Sequence, residues 1–279
     1  MSLPDRSGLS TARLGRTGLE VVRLGIGGAY ERLTVETLRA ALDAGFNYID
    51  TARAYRNGED EKIIGAALQG RREQVVLATK TGDRTAAGAE RHLHESLQAL
   101  RTDYIDIWQM HYVNKPEELE AILGPGGALE FARKAQQQGK VRFVGVTGHD
   151  WQQVGRSLAT GEFDTVLLWY NCAMREAEEW VFPIAQEHDV GVVVMNGSRW
   201  GKLLEVPEDW PREEWDPNEV DLYRFVLSHP AVDVAVASLK SAEQVAARLP
   251  IVRPTVPLTE EQQATLRRYG DKMRQEGRL

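Results

Sequence analysis

Four residues of this chain are of types that move protons: the carboxylate Asp50, the phenol Tyr55, the amine Lys80 and the imidazole His111. Three of them close short apolar runs, Asp50 in "FNYID", Lys80 in "VVLATK" and His111 in "IDIWQMH". Tyr55 follows in the same stretch as Asp50, "FNYIDTARAY". Brought together, the four make a general acid–base set, and the amine among them also opens Schiff-base chemistry at a carbonyl. Singly, each has an ordinary structural explanation. A strand-terminal Asp caps a turn, a lysine snorkels to water, a histidine satisfies a hydrogen bond, and a tyrosine half-buries its ring. Their shared place at successive strand ends sets them apart from those explanations.

That place depends on the elements between them. Apolar or β-branched runs recur at Arg23–Ile26, Phe46–Asp50, Gln74–Lys80, Tyr104–His111, Val141–Thr147, Thr165–Tyr170, Gly191–Met195 and Val232–Ala237. Amphipathic segments such as "TVETLRAALDAG" and "AERHLHESLQALR" lie between them, apolar at spacings of three and four and often closed by Gly. Strand and helix alternating at about 30-residue spacing build parallel βαβ units. Eight such units predict an α/β fold, a (β/α)8 TIM barrel, with the strand C-termini meeting at one mouth. An open doubly wound sheet is the rival. It calls for G-x-G-x-x-G after the first strand, and "LGIGGAYERL" supplies only part of it. "STARLGRTGLEVVRLG", alternating around Arg16-Thr17-Gly18, predicts an N-terminal β-hairpin that floors the barrel. Thr259 ahead of Glu260 and Glu261 predicts a C-terminal extra helix. "VPEDWPREEWDPNEVD" predicts a long loop after strand seven, and no interdomain linker divides the one domain expected over residues 1–279.

The chain has 279 residues, 42% of them hydrophobic, enough for one large core. Its 34 basic and 41 acidic residues give a net charge of -7, which argues against nucleic acid as a partner. Cys172 is the only cysteine, so no intrachain disulfide forms and a thiolate metal or iron–sulfur centre lacks ligands; the thiol reads as a bystander. His92 and His94 hint at a metal pair, but two residues apart on a helix their rings diverge. The opening residues hold no apolar core of a signal peptide, and no run reaches the length of a membrane helix. A cytoplasmic protein without a membrane partner is expected.

The stretches "GLEVVRLGIGG", "DAGFNYIDTARAY", "ATKTG", "RTDYIDIWQMH", "GKVRFVGVTGH" and "LSHPAVDVAVASLKSAEQV" span almost the whole chain in order, and they resemble the aldo-keto reductase superfamily. "VMNGSRWGKLL" and "VTGH" resemble a bacterial branch in which some members add a ferredoxin-like iron–sulfur tail, which a single cysteine rules out here. The resemblance implies reversible reduction of an aldehyde or ketone to an alcohol with NADPH, or NADH in its place, by a catalytic tetrad of Asp50, Tyr55, Lys80 and His111. In that scheme Tyr55 protonates the developing alkoxide. Lys80 stabilises its phenolate, lowering a pKa of about 10, and Asp50 keeps Lys80 charged and oriented. His111 hydrogen-bonds the carbonyl oxygen. A nicotinamide carries the hydride, so the protein needs no nucleophile of its own.

By the same resemblance the cofactor lies extended across the mouth, with its phosphates near the loops after strands seven and eight. The implied cofactor-binding residues are Gly27, Gly28, Thr147, Gly148, Asn171, Met195, Asn196, Ser198, Arg199, Lys202, Ser238, Lys240, Gln244 and Arg248. The cations among them, with a helix start at Ser241, suit phosphates. Several positions depart from the family pattern. Thr147-Gly148, followed by His149, stands where a Ser-Asn pair holds the nicotinamide amide. Leu167 stands for a Gln, with Asn171 nearby, and Met195 for a stacking Tyr. Gln244 and Arg248 replace the usual Arg and Asn. Lys240 and Arg248 favour the 2′-phosphate of NADPH. Tyr30, Tyr112, Tyr170, Trp200, Trp210 and Trp215 are candidates either to line a substrate pocket or to pack the barrel. The short "VNKPEELEAILGPGGALE" loop leaves that pocket open to small, varied carbonyls. Two other readings stay open: a nicotinamide-nucleotide-binding sensor or partner subunit with little turnover, and a barrel isomerase or lyase forming a Schiff base on Lys80. The expected partner is a small-molecule carbonyl or alcohol, and the expected assembly a monomer or weak homo-oligomer.

Overall fold

The computed structural model describes residues 6, 8–28, 33–211, 214–253 and 257–277, so Tyr30 lies outside the described residues. After the antiparallel strands β1 (Thr11–Arg13) and β2 (Glu20–Val22), the eight anticipated strands appear in chain order. They are β3 (Leu24–Gly27), β4 (Tyr48–Asp50), β5 (Val76–Thr81), β6 (Ile105–Met110), β7 (Val141–Gly148), β8 (Thr165–Trp169), β9 (Gly191–Met195) and β10 (Val234–Ala237). All pair in parallel, and β10 returns to pair with β3 through Ala235↔Leu24, Val236↔Gly25 and Ala237↔Ile26. The sheet is therefore a closed barrel and not the open doubly wound alternative.

Parallel strands covered by helices are apolar on both faces, and here the two faces separate by period two. Val76 and Ala78, Ile107, Leu167, Val193, and Val234 with Val236 fill the interior around Tyr48. Leu77, Trp108, Val166 with Leu168, and Val192 with Val194 pack outward against the helices. One further step of the same alternation carries Lys80, Gln109, Trp169 and Met195 onto the inner face at the strands' C-terminal ends.

The helices are α1 (Val35–Asp43), α2 (Glu59–Ala67), α3 (Ala86–Leu100), α4 (Pro116–Leu123), α5 (Ala128–Gln137), α6 (Trp151–Ala159), α7 (Ala177–Trp180), α8 (Phe182–Glu187), α9 (Glu219–Ser228), α10 (Ala242–Val252) and α11 (Glu260–Gln275). Thr34, Thr85, Asp150, Asn218, Ser241 and Thr259 each accept a backbone N–H three residues on, which fixes where six of these helices begin. The described residues of the Pro- and Trp-rich stretch after β9 are largely loop, as its composition predicts. It ends early, because Asn218 caps α9 within it.

The hairpin floors the barrel as anticipated. Leu14, Leu19 and Val21 join the interior cluster from below, and Arg16 donates to the carbonyls of Gly161 and Phe163, each at 2.9 Å. Gly15 (φ 45°) lies so close to the Gly191 backbone that it has no room for a side chain, and a Cβ at Gly191 would meet Leu14. At the other end of the chain, α11 closes the outside. Tyr269 donates to the Leu203 carbonyl at 2.9 Å, and Gly270 lets the helix settle onto the Cys172 carbonyl, where a Cβ would collide with backbone. Cys172 itself is buried there. Among the described residues no helix is long and apolar enough to cross a membrane.

Replacing Gly270 by Ala is expected to cost about 1–3 kcal/mol through overpacking against a backbone that cannot yield. The urea midpoint should fall accordingly. Gly82→Ala, where a Cβ meets open space, should leave it nearly unchanged; equal effects of the two would refute the close approach of α11.

Candidate active site

Asp50 closes β4 and Lys80 lies near the end of β5, and the two side chains form an ion pair that is almost completely buried. The Lys80 ammonium also donates to the Thr51 carbonyl at 2.6 Å and reaches the Tyr55 hydroxyl at 3.4 Å, so its three protons face three oxygens. The other Asp50 oxygen accepts from Gln109 Nε2 at 2.7 Å. Burial works against a charged lysine, but the Asp50 carboxylate and the Tyr55 oxygen outweigh it and hold the Lys80 pKa above the ordinary value.

Beyond β4 the chain continues along β5, with the Thr51 N–H on the Ala78 carbonyl at 2.9 Å and the Arg53 N–H on that of Lys80 at 3.3 Å. It then turns in a short 3-10 segment, Tyr55–Gly58, which brings the tyrosine back over the mouth. Lys80 Nζ lies 4.8 Å from the Tyr55 ring centroid. His111 follows β6 directly. Its ring stands edge-on to Tyr55, with centroids 5.7 Å apart at 80°. Arg84 fixes this corner by donating to the His111 carbonyl at 2.8 Å and the Tyr112 carbonyl at 2.9 Å. The four residues singled out for acid–base chemistry thus converge on one mouth. The arrangement can hold a carbonyl oxygen between a phenol and an imidazole and pass it a proton.

All the residues singled out for a cofactor lie at the C-terminal ends of the strands, in the loops beyond them, or in the first two turns of α10. Their states differ. Both polar atoms of the Asn196 amide are buried without a partner, while Lys202 and Lys240 are exposed; an amide with unmet bonds and two free cations fit a polar, phosphate-bearing ligand. Asn171, by contrast, spends its amide locally, accepting from the N–H groups of Ala173 and Met174 at 2.9 Å each and donating to the Asn196 carbonyl at 3.0 Å. Thr147 Oγ1 accepts the Tyr112 N–H at 2.9 Å. Arg248 is also engaged: its fork grips Glu219 through Nε at 3.2 Å and Nη2 at 2.7 Å, and Nη1 donates to the Ser238 carbonyl.

The family model of the aldo/keto reductase family matches residues 22–206. The chain belongs to this family. An aldo-keto reductase of Bacillus subtilis strain 168, YhdN, is 34% identical over 215 residues, which are 68% of this chain and 63% of that relative. In structure, the holo form of an aldo-keto reductase from Bacillus halodurans is 28% identical and superposes over 94% of this chain and 96% of its own, with a TM-score of 0.79. A Klebsiella pneumoniae aldo-keto reductase in complex with NADPH is 26% identical over 94% of this chain and 95% of its own, at a TM-score of 0.74. The protein is accordingly an NAD(P)H-dependent oxidoreductase.

Several residues that shape this reductase site escaped sequence reasoning. Gln109 stands two before His111 on the same strand face, and Trp169 two after Leu167; period two was the available signal for both. Arg84 and Glu219 had none, since their partners are distant in sequence. Of the candidate aromatics, Tyr112 and Trp200 are exposed at the mouth. Tyr170 is packed, with its hydroxyl on Glu178 at 2.7 Å, and Trp210 lies edge-on to Tyr269. Trp215 packs against the outer core. His92 bonds Thr81 Oγ1 through Nδ1 at 2.9 Å, and His94 is exposed.

The two mouth histidines are both held neutral. Burial, then the charges of Lys80 and Arg84, pull the His111 pKa down to about 3. Burial and Arg199 pull that of His149 down to about 4. In the unfolded chain both titrate near ~6.5. Below that pH the unfolded chain binds more protons than the folded one, so the stability these groups contribute is complete above ~6.5 and is lost as pH falls toward their folded values. The urea midpoint should therefore drop between pH 7 and pH 5, and the His111→Gln/His149→Gln double variant should lose part of that drop. An identical pH slope in the variant would contradict neutral burial.

Proposed function

We propose that the protein reversibly reduces an aldehyde or ketone to an alcohol with NADPH, with Tyr55 as the general acid in reduction and the base in oxidation. The observation that carries this reading is the Lys80 ammonium, clamped by Asp50 and the Thr51 carbonyl, with its remaining proton on the Tyr55 hydroxyl. Bound nicotinamide supplies the hydride. The residues of the chain handle the oxygen. Tyr55 gives its proton to the carbonyl oxygen as negative charge develops there, and the phenolate left behind is stabilised by the adjacent ammonium. Gln109 and Lys80 hold both oxygens of Asp50, so the carboxylate cannot swing toward the phenol. His111, neutral, hydrogen-bonds the same carbonyl oxygen without itself titrating near neutrality.

The same geometry disfavours a Schiff base on Lys80, because an ammonium with all three protons committed and its charge held by Asp50 is not a nucleophile. No observation favours a sensor subunit over an enzyme. Cofactor binding is assigned to Thr147 and Met195 at the nicotinamide end and to Asn196, Ser198, Lys202, Lys240 and the N-terminus of α10 at the phosphate end. Lys240 and Arg248 are the proposed 2′-phosphate ligands. For Arg248 this means competition, since Glu219 already fills its fork.

Tyr55→Phe should lower kcat/KM on a panel of small aldehydes and ketones by roughly 10²–10⁴, while NADPH affinity, followed by tryptophan quenching, stays within about twofold. Undiminished activity would refute Tyr55 as the acid, and tight cofactor binding by the unaltered protein without turnover on any carbonyl would favour the sensor reading.

Glu219→Gln should release Arg248 and tighten NADPH about tenfold relative to NADH, one charge-assisted hydrogen bond's worth. An unchanged NADPH/NADH ratio would show that Arg248 does not meet the 2′-phosphate.

A further inference from the structure

The loop after β9 holds three non-glycine residues in the left-handed region within five positions: Asn196 at φ 70°, Arg199 at 52° and Trp200 at 54°. Such backbone is costly for residues with a Cβ and persists where it serves a site. Its effect here is to fold Arg199 into a corner of two indoles. The guanidinium carbon lies 4.9 Å from the Trp169 ring centroid and 4.5 Å from that of Trp200, and the two rings meet at 89°. These contacts hold the cation through ring faces alone. Its Nε and Nη1 are buried with no hydrogen-bond partner, and no acidic side chain among the described residues offsets its burial. A guanidinium fixed in place with its donors unmet is costly unless an anion completes it.

The corner lies on the side of the mouth where the carbonyl would be held. Trp169 stacks on His149, with centroids 4.1 Å apart and 24° between planes. His149 in turn meets the edge of Tyr112 at 4.7 Å, and Tyr112 directly follows His111. His149 is neutral, so it neither competes for an anion nor adds a second charge. An aromatic wall thus runs from beside the proposed oxygen-binding imidazole to an unpaired cation.

We propose that Arg199 binds a carboxylate of the substrate, making carbonyl compounds that carry a carboxylate, oxo acids and semialdehyde acids, the preferred substrates of this reductase. The planar guanidinium offers paired N–H groups that match a carboxylate. This rests on carbonyl reduction at Tyr55 and His111, and it takes Arg199 out of the cofactor-phosphate set in which the sequence places it.

The test compares succinic semialdehyde with butanal, of the same chain length but without the carboxylate, in the unaltered enzyme and in Arg199→Met, which keeps the stem of the side chain. Cofactor affinity is followed by tryptophan quenching, and calorimetric titration of succinate, which cannot be reduced, reads the anion site without turnover. The expected result is a kcat/KM about 10–100-fold higher for the acid, the worth of a charge-assisted hydrogen bond or two. Arg199→Met should abolish that preference through the KM of the acid, with butanal turnover and cofactor affinity within about twofold of the unaltered enzyme. A variant that loses cofactor affinity and slows both substrates alike would place Arg199 on a cofactor phosphate and overturn the proposal. Reduction of butanal with no preference for the acid would overturn it while leaving carbonyl reduction intact. Arg199-dependent succinate binding without reduction of either aldehyde would uphold the anion site and refute the reductase reading instead.

Discussion

The buried ion pair of Lys80 and Asp50 is the contact on which the mouth depends. Taking two charges out of water is expensive, and removing either partner leaves a buried charge unmet, typically at about 3–5 kcal/mol. The barrel tolerates the pair only because further groups complete it, Gln109 on the carboxylate and the Thr51 carbonyl on the ammonium. These partners come from β4, β5 and β6, three adjacent strands. The polar cluster therefore also pins strand alignment: slipping one strand by a residue would turn its polar side chain from the inner face to the outer one. With its charge held from below, the ammonium has one direction left in which to donate, and that direction is Tyr55.

The rest of the barrel makes that arrangement rigid. Apolar side chains fill the interior beneath the polar layer, the hairpin seals the floor through Leu14, Leu19 and Val21, and the outer core packs the strands against their helices. A close-packed interior transmits little play to its upper layer. The loops above carry the unusual residues: the left-handed Asn196, Arg199 and Trp200 after β9, and His149 after β7.

How much of this was legible in the sequence follows from the range of the interactions involved. Strand and helix positions are written locally, as alternation of period two and apolar spacing of three and four, so the eight strands, the hairpin and the last helix were readable with errors of a residue or two at their ends. The convergence of Asp50, Tyr55, Lys80 and His111 was readable as well, because a parallel barrel brings strand ends together whatever the side chains. What sequence could not show was the partner each polar group finds across the fold. Arg248 looked like a free phosphate ligand until Glu219, on another helix, was seen to fill its fork. Asn171 looked available until its turn consumed the amide. Trp169 and His149 are unremarkable in sequence, and only stacking makes them a wall. The Arg248–Glu219 and Trp169–His149 contacts join residues distant in sequence, the Asn171 turn closes on its own neighbours, and no periodicity encodes any of them.

Charge at the mouth is also distributed in a way that follows from Lys80. The chain is net acidic, at -7, yet the side chains around the mouth include the Lys80 ammonium, the Arg199 guanidinium and the neutral imidazoles of His111 and His149. Burial lowers the His111 pKa most, and the charges of Lys80 and Arg84 add to it, so that it is pulled down to about 3. A neutral His111 still offers an N–H to a carbonyl oxygen, but it does not stabilise the phenolate of Tyr55 as a cation would. The division of labour is thus electrostatic in origin. In the proposed reaction the permanent charge lies under the phenol, where proton loss must be stabilised, and the neutral donor lies beside the oxygen, where geometry matters more than charge. Had Asp50 been absent, Lys80 would shed its proton more readily on burial, and its contribution to the low His111 pKa would weaken, while burial, the larger cause, would remain. The carboxylate that ends β4 therefore holds Lys80 charged, and through Lys80 it adds to the burial that already lowers the pKa of the imidazole just after β6.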